Sequence, residues 1–137
     1  MNYGYKILFY APLKDGVKET LDYFKQLKIL LYFISAKRNS GYEDLKQDIE
    51  NILLKYQLPY DGIYTEISRK GKFCREKNID FLIDDSYDNC LDAVKNDVVG
   101  ILISNDYNID RKIVENMYRI DNFNEAKEII KKKVGRF

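Results

Sequence analysis

The chain has 137 residues, 45% of them hydrophobic, and its 23 Lys and Arg nearly cancel its 22 Asp and Glu, leaving a formal net charge of +1. Such a length fits one domain around a single core, and the charge balance gives no global field that would draw in nucleic acid or an anionic membrane. The absence of histidine excludes Ser-His-Asp and Cys-His triads, imidazole bases and histidine-ligated zinc, so that carboxylate, amine, hydroxyl and thiol chemistry remain.

Near the N-terminus, Tyr5 to Ala11 consists largely of strand-forming residues. From Gly16 to Lys28, Val17, Leu21, Phe24 and Leu27 recur at helical spacing, with Asp15 as the predicted N-cap. Ile29 to Ile34 is an unbroken apolar run, the pattern of a central or nearly central parallel strand covered on both faces. Leu45, Ile49, Ile52, Leu53 and Tyr56 mark a helix ending before Pro59, and Gly62-Ile63-Tyr64 a short strand. A short helix near Gly71 to Lys77 leads to a strand over Ile79 to Ile83, and a helix near Tyr87 to Lys95 leads to a strand over Val98 to Ser104. Tyr118 to Ile120 adds an edge strand. Asn122 and Glu125 form an approximate capping box before a last helix with an apolar face of Ala126, Ile129 and Ile130.

This alternation predicts a single α/β domain over residues 1–137, a three-layer Rossmann-like fold with a mostly parallel sheet. There is no internal repeat, low-complexity segment or Gly/Ser linker. Cys74 and Cys90 stand apart from any Cys-x-x-Cys motif and read as reduced core thiols. With no apolar run near the roughly 20 residues of a membrane span and no signal-peptide pattern, a cytoplasmic location is expected. Lys131, Lys132, Lys133 and Arg136 read as cations complementing the dipole of the last helix.

In a parallel sheet of this kind ligands sit beyond the carboxyl ends of the strands. There the first apolar run continues into Ser35-Ala36-Lys37-Arg38-Asn39, and Phe81-Leu82-Ile83 runs into Asp84-Asp85-Ser86. Adjacent carboxylates at the end of a core strand are costly unless a cation compensates them. Ser68, Arg69, Lys70 and Lys72 lie between these strands, where the short helix begins. A hydroxyl at Ser35, with neighbouring backbone N–H groups such as that of Ala36, suits phosphate oxygens. Lys70 offers a point charge to a phosphoryl group, and Asp84 or Asp85 offers oxygen ligands to Mg²⁺.

Each of these residues also has an ordinary structural role. Ser35 can end a strand, Lys70 can be a solvated lysine at a helix start, and one of the aspartates can cap the following helix. Their convergence on one edge is what points to phosphoryl chemistry. Asp88, Asn89 and Asp106 are weaker candidates, and Asn105-Asp106-Tyr107-Asn108 reads first as a turn.

The ordered set of Ser35 after an apolar strand, then Lys70, then Ile83-Asp84-Asp85 resembles the second, third and fourth motifs of the haloacid dehalogenase superfamily of phosphatases. Pro12-Leu13-Lys14-Asp15-Gly16-Val17, Tyr32-Phe33-Ile34-Ser35-Ala36 and Ile83-Asp84-Asp85-Ser86-Tyr87-Asp88-Asn89 are similar to its 5'(3')-deoxyribonucleotidase and putative nucleotidase branch. The resemblance runs from about Pro12 onward, without a recognisable cap domain. It implies phosphate binding by Ser35 and Ala36, a catalytic and phosphate-steadying role for Lys70 with Lys72 as second choice, and a magnesium site completed by Asp84 and Asp85.

One departure matters. The family's first strand ends in Asp-x-Asp, which supplies the nucleophile and the general acid and base, whereas the first acidic residue here is Asp15, already at the start of a helix. Two explanations stand open. Tyr5 to Ala11 occupies the place of the first strand without its aspartates, or it corresponds to the end of a cap segment and the sheet lacks that strand, which favours a homodimer or a partner chain completing the sheet. The expected function is a nucleotidase-type phosphomonoesterase relative with impaired catalysis, retaining Mg²⁺ and phosphate or nucleoside monophosphate binding. The alternative is a noncatalytic binding or assembly protein on the same fold. A response-regulator receiver domain is rejected because no phospho-acceptor aspartate falls at a middle strand end.

Overall fold

The computed structural model describes residues 5–9, 16–35 and 45–134. They form six strands, β1 (Lys6–Phe9), β2 (Leu30–Ser35), β3 (Gly62–Thr65), β4 (Phe81–Asp84), β5 (Val99–Ile103) and β6 (Met117–Ile120). Five helices accompany them: α1 (Val17–Gln26), α2 (Leu45–Lys55), α3 (Lys70–Glu76), α4 (Tyr87–Lys95) and α5 (Glu125–Val134). The strands make one sheet in the order β3-β2-β1-β4-β5-β6, and every neighbouring pair is parallel. This is a Rossmann-like α/β fold of three layers, with an edge strand at Met117–Ile120 as the sequence suggests.

The two-residue period of a strand decides which helix each side chain meets. Ile7 and Phe9 of β1, Leu31 and Phe33 of β2, and Phe81 and Ile83 of β4 share a core with the buried faces of α1, α2 and α5. On the opposite face, Leu8, Ile34 and Leu82 pack with Cys74 of α3 and Ala93 of α4. Strands covered on both sides need apolar residues at every position, which explains the unbroken run in β2.

β1 settles which reading of Tyr5 to Ala11 holds. Its Ile7 pairs with Leu31 on one side and Phe81 on the other, and Phe9 with Phe33 and Ile83, so β1 fills the middle of the sheet. The reading of a sheet missing this strand is corrected, while Tyr10 and Ala11 lie outside the described residues. Register is pinned at the opposite edge by Asp80, whose carboxylate accepts the Lys6 N–H at 2.8 Å while its own N–H donates to the Lys6 carbonyl at 2.9 Å. Asp61 repeats the device on Leu31, accepting its N–H at 2.7 Å.

Helix ends follow a shared rule. Lys28, Gln57, Asn78 and Asp97 have φ of 64, 56, 58 and 63°, each just beyond a helix. The next residues, Ile29, Leu58, Ile79 and Val98, bond back to Phe24, Leu53, Cys74 and Ala93 and are buried. This is the left-handed helix stop with its accompanying apolar contact, executed here without glycine. It also moves the predicted starts of the following strands to Leu30, Phe81 and Val99. The N-cap of α1 is Gly16, at φ 87° and without a side-chain cap bond, while Asp15 lies outside the described residues. At α5, Glu125 reaches back to accept the Asn122 N–H at 2.9 Å, which is the Glu half of the predicted capping box.

Candidate functional site

The strand order reverses between β1 and β4, and the crevice beyond the carboxyl ends at such a switch point is where open parallel sheets bind ligands. Asp84, the last residue of β4, lies at that point. Ser35 ends β2 and is paired with Thr65, the last residue of β3. The backbone register therefore brings Ser35 to the same edge, and Ala36 follows it outside the described residues.

Lys70 is the first residue of α3 and is only 4% exposed. Its Nζ donates to Asp84 Oδ2 at 2.7 Å, and Asp84 is 1% exposed. A buried ion pair survives only when further hydrogen bonds satisfy its charges. Here Asp84 Oδ1 accepts the Ser86 N–H at 2.9 Å, and Oδ2 also accepts from Asn89 Nδ2 at 3.2 Å. Lys72 is exposed, so burial and pairing distinguish Lys70 from its neighbour.

Asp85 is half-buried beside this pair. Burial raises its carboxyl above the usual range, the charge of Asp84 and a hydrogen bond to it add to the rise, and Lys70 partly opposes it. Its backbone is held from the β5–β6 connection: the Asp85 carbonyl accepts from Asn105 Nδ2 at 3.2 Å and Asn108 Nδ2 at 2.9 Å. Asn108, 2% exposed, also donates to the Ile103 carbonyl and accepts from Arg119 at 3.0 Å. The site's second acid is thereby tied to β5 and β6.

Around α3, open clefts of about 340 and 310 Å³ lie on either side of Arg69, the first lined by Ser68, Asn89 and Asp92 and the second by Glu66, Lys72 and Phe73, among others. Both thiols are free and buried. Burial pushes Cys74 up to about 12 and Cys90 higher still, so both remain protonated at neutral pH.

As a magnesium site, the edge has the right donor chemistry, carboxylate oxygen without sulfur or imidazole. Both oxygens of Asp84 already accept hydrogen bonds, and the less buried Asp85 carboxyl is bonded to Asp84. No group of three or more His, Cys, Asp or Glu converges among the described residues. A hard cation held here would have two adjacent carboxylates, Asp84 and Asp85, as its protein ligands and water for the rest.

Asp88 points away to Arg111, at 3.5 Å and with its side chain 80% exposed, and Asp106 is exposed. Asn108, read from sequence as a turn residue, and Asp92, not singled out, are the contributors the sequence reading missed. The one local signal for Asp92 was indirect: Arg69-Lys70-Gly71-Lys72 opens a helix with neither a capping side chain nor an acid in its first turn.

These features define a class: a parallel α/β domain whose switch-point edge carries a buried Lys–Asp pair with a second aspartate alongside. Over 129 residues the chain is 28% identical to a protein of Clostridium acetobutylicum named as a nucleotidase, and the similarity covers 93% of this chain. The chain spans 64% of that relative's length. No family model matches the chain, and no solved structure matches it significantly.

Proposed function

We propose that this chain is a haloacid-dehalogenase-like phosphohydrolase relative of nucleotidase type, holding a phosphate monoester such as a nucleoside monophosphate, together with Mg²⁺, at the carboxyl edge of its sheet. The observation that carries the reading is the Lys70–Asp84 pair at 2.7 Å, with Asp85 next to it, at the switch point. The similarity to a protein named as a nucleotidase supports the same chemistry.

In this reading Lys70 presents positive charge to the phosphoryl oxygens while Asp84 keeps it oriented, and Ser35 with the Ala36 N–H binds the same oxygens from β2. Asp85, with Asp84 behind it, would hold the magnesium. That ion supplies further neutralisation of phosphate charge. β1 brings no carboxylate to the edge, since no acidic residue precedes Asp15. Turnover by this chain is accordingly impaired, and binding is the property retained. The setting is cytoplasmic.

Phosphate release from nucleoside monophosphates and an aryl phosphate, with Mg²⁺ or EDTA, tests this alongside magnesium-dependent ligand binding by calorimetry. Binding lost in Asp85→Asn is expected. Binding that is indifferent both to that change and to magnesium would remove the proposed site. A second reading, a noncatalytic binding or assembly protein, is favoured by the missing N-terminal acid. It predicts a stable oligomer with no phosphate ligand, so a monomer in light scattering counts against it.

A further inference from the structure

The helix that carries Lys70 begins without local support. Arg69, its N-cap residue, makes no side-chain cap bond, and the first turn holds no acid. Yet the first N–H groups of a helix require acceptors, and a carboxylate there also complements the helix dipole.

Both are supplied from another helix. Asp92 of α4 accepts the Gly71 N–H at 2.9 Å and the Lys72 N–H at 3.3 Å through Oδ2. Its Oδ1 meets the Arg69 guanidinium at 2.7 Å. The residues on both sides of Lys70 are thus fixed by one carboxylate. Burial would lift that carboxyl, but the Arg69 hydrogen bond and the Lys72 and Gly71 N–H groups outweigh it and hold it below the usual range.

A second, independent feature is steric. A Cβ on Gly71 would come within 2.3 Å of the Asp92 carbonyl carbon and 2.5 Å of the Ala93 nitrogen, so the two helices touch backbone to backbone beside Lys70. Only glycine permits that approach.

We infer that Asp92 is a positioning residue, which caps α3 from α4 and so sets the depth and direction at which Lys70 meets Asp84. This rests on the reading of Lys70 as the site lysine. The effect passes through the start of the helix: without the cap, its first turn loses acceptors for two N–H groups and the anchor of Arg69, and Lys70 is freed to leave its buried pair.

The test is the rate of amine modification of Lys70 in the full chain by a small acylating reagent, followed by mass spectrometry without any phosphate ligand. Asp92→Ala should raise Lys70 modification by about tenfold or more, the scale of a lost charged hydrogen bond. Asp92→Asn, which keeps one acceptor oxygen, should retain most of the protection. Val134→Ala on α5 serves as a remote destabilised control and should leave Lys70 protected. Unchanged Lys70 modification in Asp92→Ala overturns the inference, as does an equal rise in Val134→Ala at matched stability. Because the readout needs no turnover or ligand, a chain inert towards phosphate esters leaves this result standing.

Discussion

The Lys70 ammonium and the Asp84 carboxylate meet at 2.7 Å with almost no water access to either. Removing one member of such a pair strands the other charge, which is worse than never having built the pair. Asp84→Asn should therefore destabilise the fold by about 3–5 kcal/mol in urea unfolding. Asp85→Asn, at a half-buried position, should cost much less and is the cleaner probe of ligand binding. A loss below about 1 kcal/mol for Asp84→Asn would show that the pair is solvated in solution.

Asn108 is a buried amide whose two donors reach the Asp85 and Ile103 carbonyls while its oxygen accepts from Asn105 N–H and Arg119. Truncation leaves several buried groups without partners. Asn108→Ala should cost about 2–4 kcal/mol, since each orphaned group costs about 1–3 kcal/mol. Asn108→Asp should be no better, because a carboxylate cannot donate to either carbonyl. Thermal unfolding of both variants against wild type checks this.

Asp92 and Asp80 titrate in opposite senses. The Asp92 carboxyl is held low in the fold, so its stabilising contribution is present above the unfolded value of about 3.9 and lost as pH falls through its folded value. The stability gap between wild type and Asp92→Asn should close in acid. Asp80 is raised, burial outweighing the Lys6 N–H bond, so its favourable contribution is present at low pH and lost as pH rises through the folded value. Asp80→Asn keeps an acceptor for Lys6 and should gain stability over wild type as pH rises. Urea midpoints measured across pH 3 to 7 would separate the two slopes.

Gln57 follows α2 at φ 56°, a conformation that strains any side chain with a Cβ. Gln57→Gly should stabilise by up to about 1 kcal/mol, while Gln57→Val should destabilise. An unchanged midpoint in both would mean that residue 57 leaves the left-handed region in solution.

The layers of the fold were legible because buried strands and amphipathic helices write their periods directly into Ile29 to Ile34, Leu45 to Tyr56 and Phe81 to Ile83. Helix ends were less so, since Lys28, Gln57, Asn78 and Asp97 adopt a conformation usually marked by glycine. At the site, Ser35, Lys70, Asp84 and Asp85 stood out as polar residues beside strand ends. Lys70 is preferred to Lys72 through the resemblance alone; that Lys70 is the buried one of the two depends on which of them α3 turns inward. The parts of Asp92 and Asn108 could not be read, because their partners lie 21 and 23 positions away along the chain and meet them only once helices and sheet have docked.

The place of β1 has a consequence for how the chain folds. β4, β5 and β6 with α4 are close in sequence, and so are β2, α2 and β3, and within the sheet these two halves are joined by β1. Its Lys6 must find Asp80, 74 residues away, and closing so long a loop is slow compared with local pairing. The pairing of β1 with β2 spans only α1 and can form early, so the β1 edge that faces β4 stays open until the long loop closes. That β1 edge, apolar on both faces of the sheet, is where the half-formed domain is most open to pairing with the wrong chain.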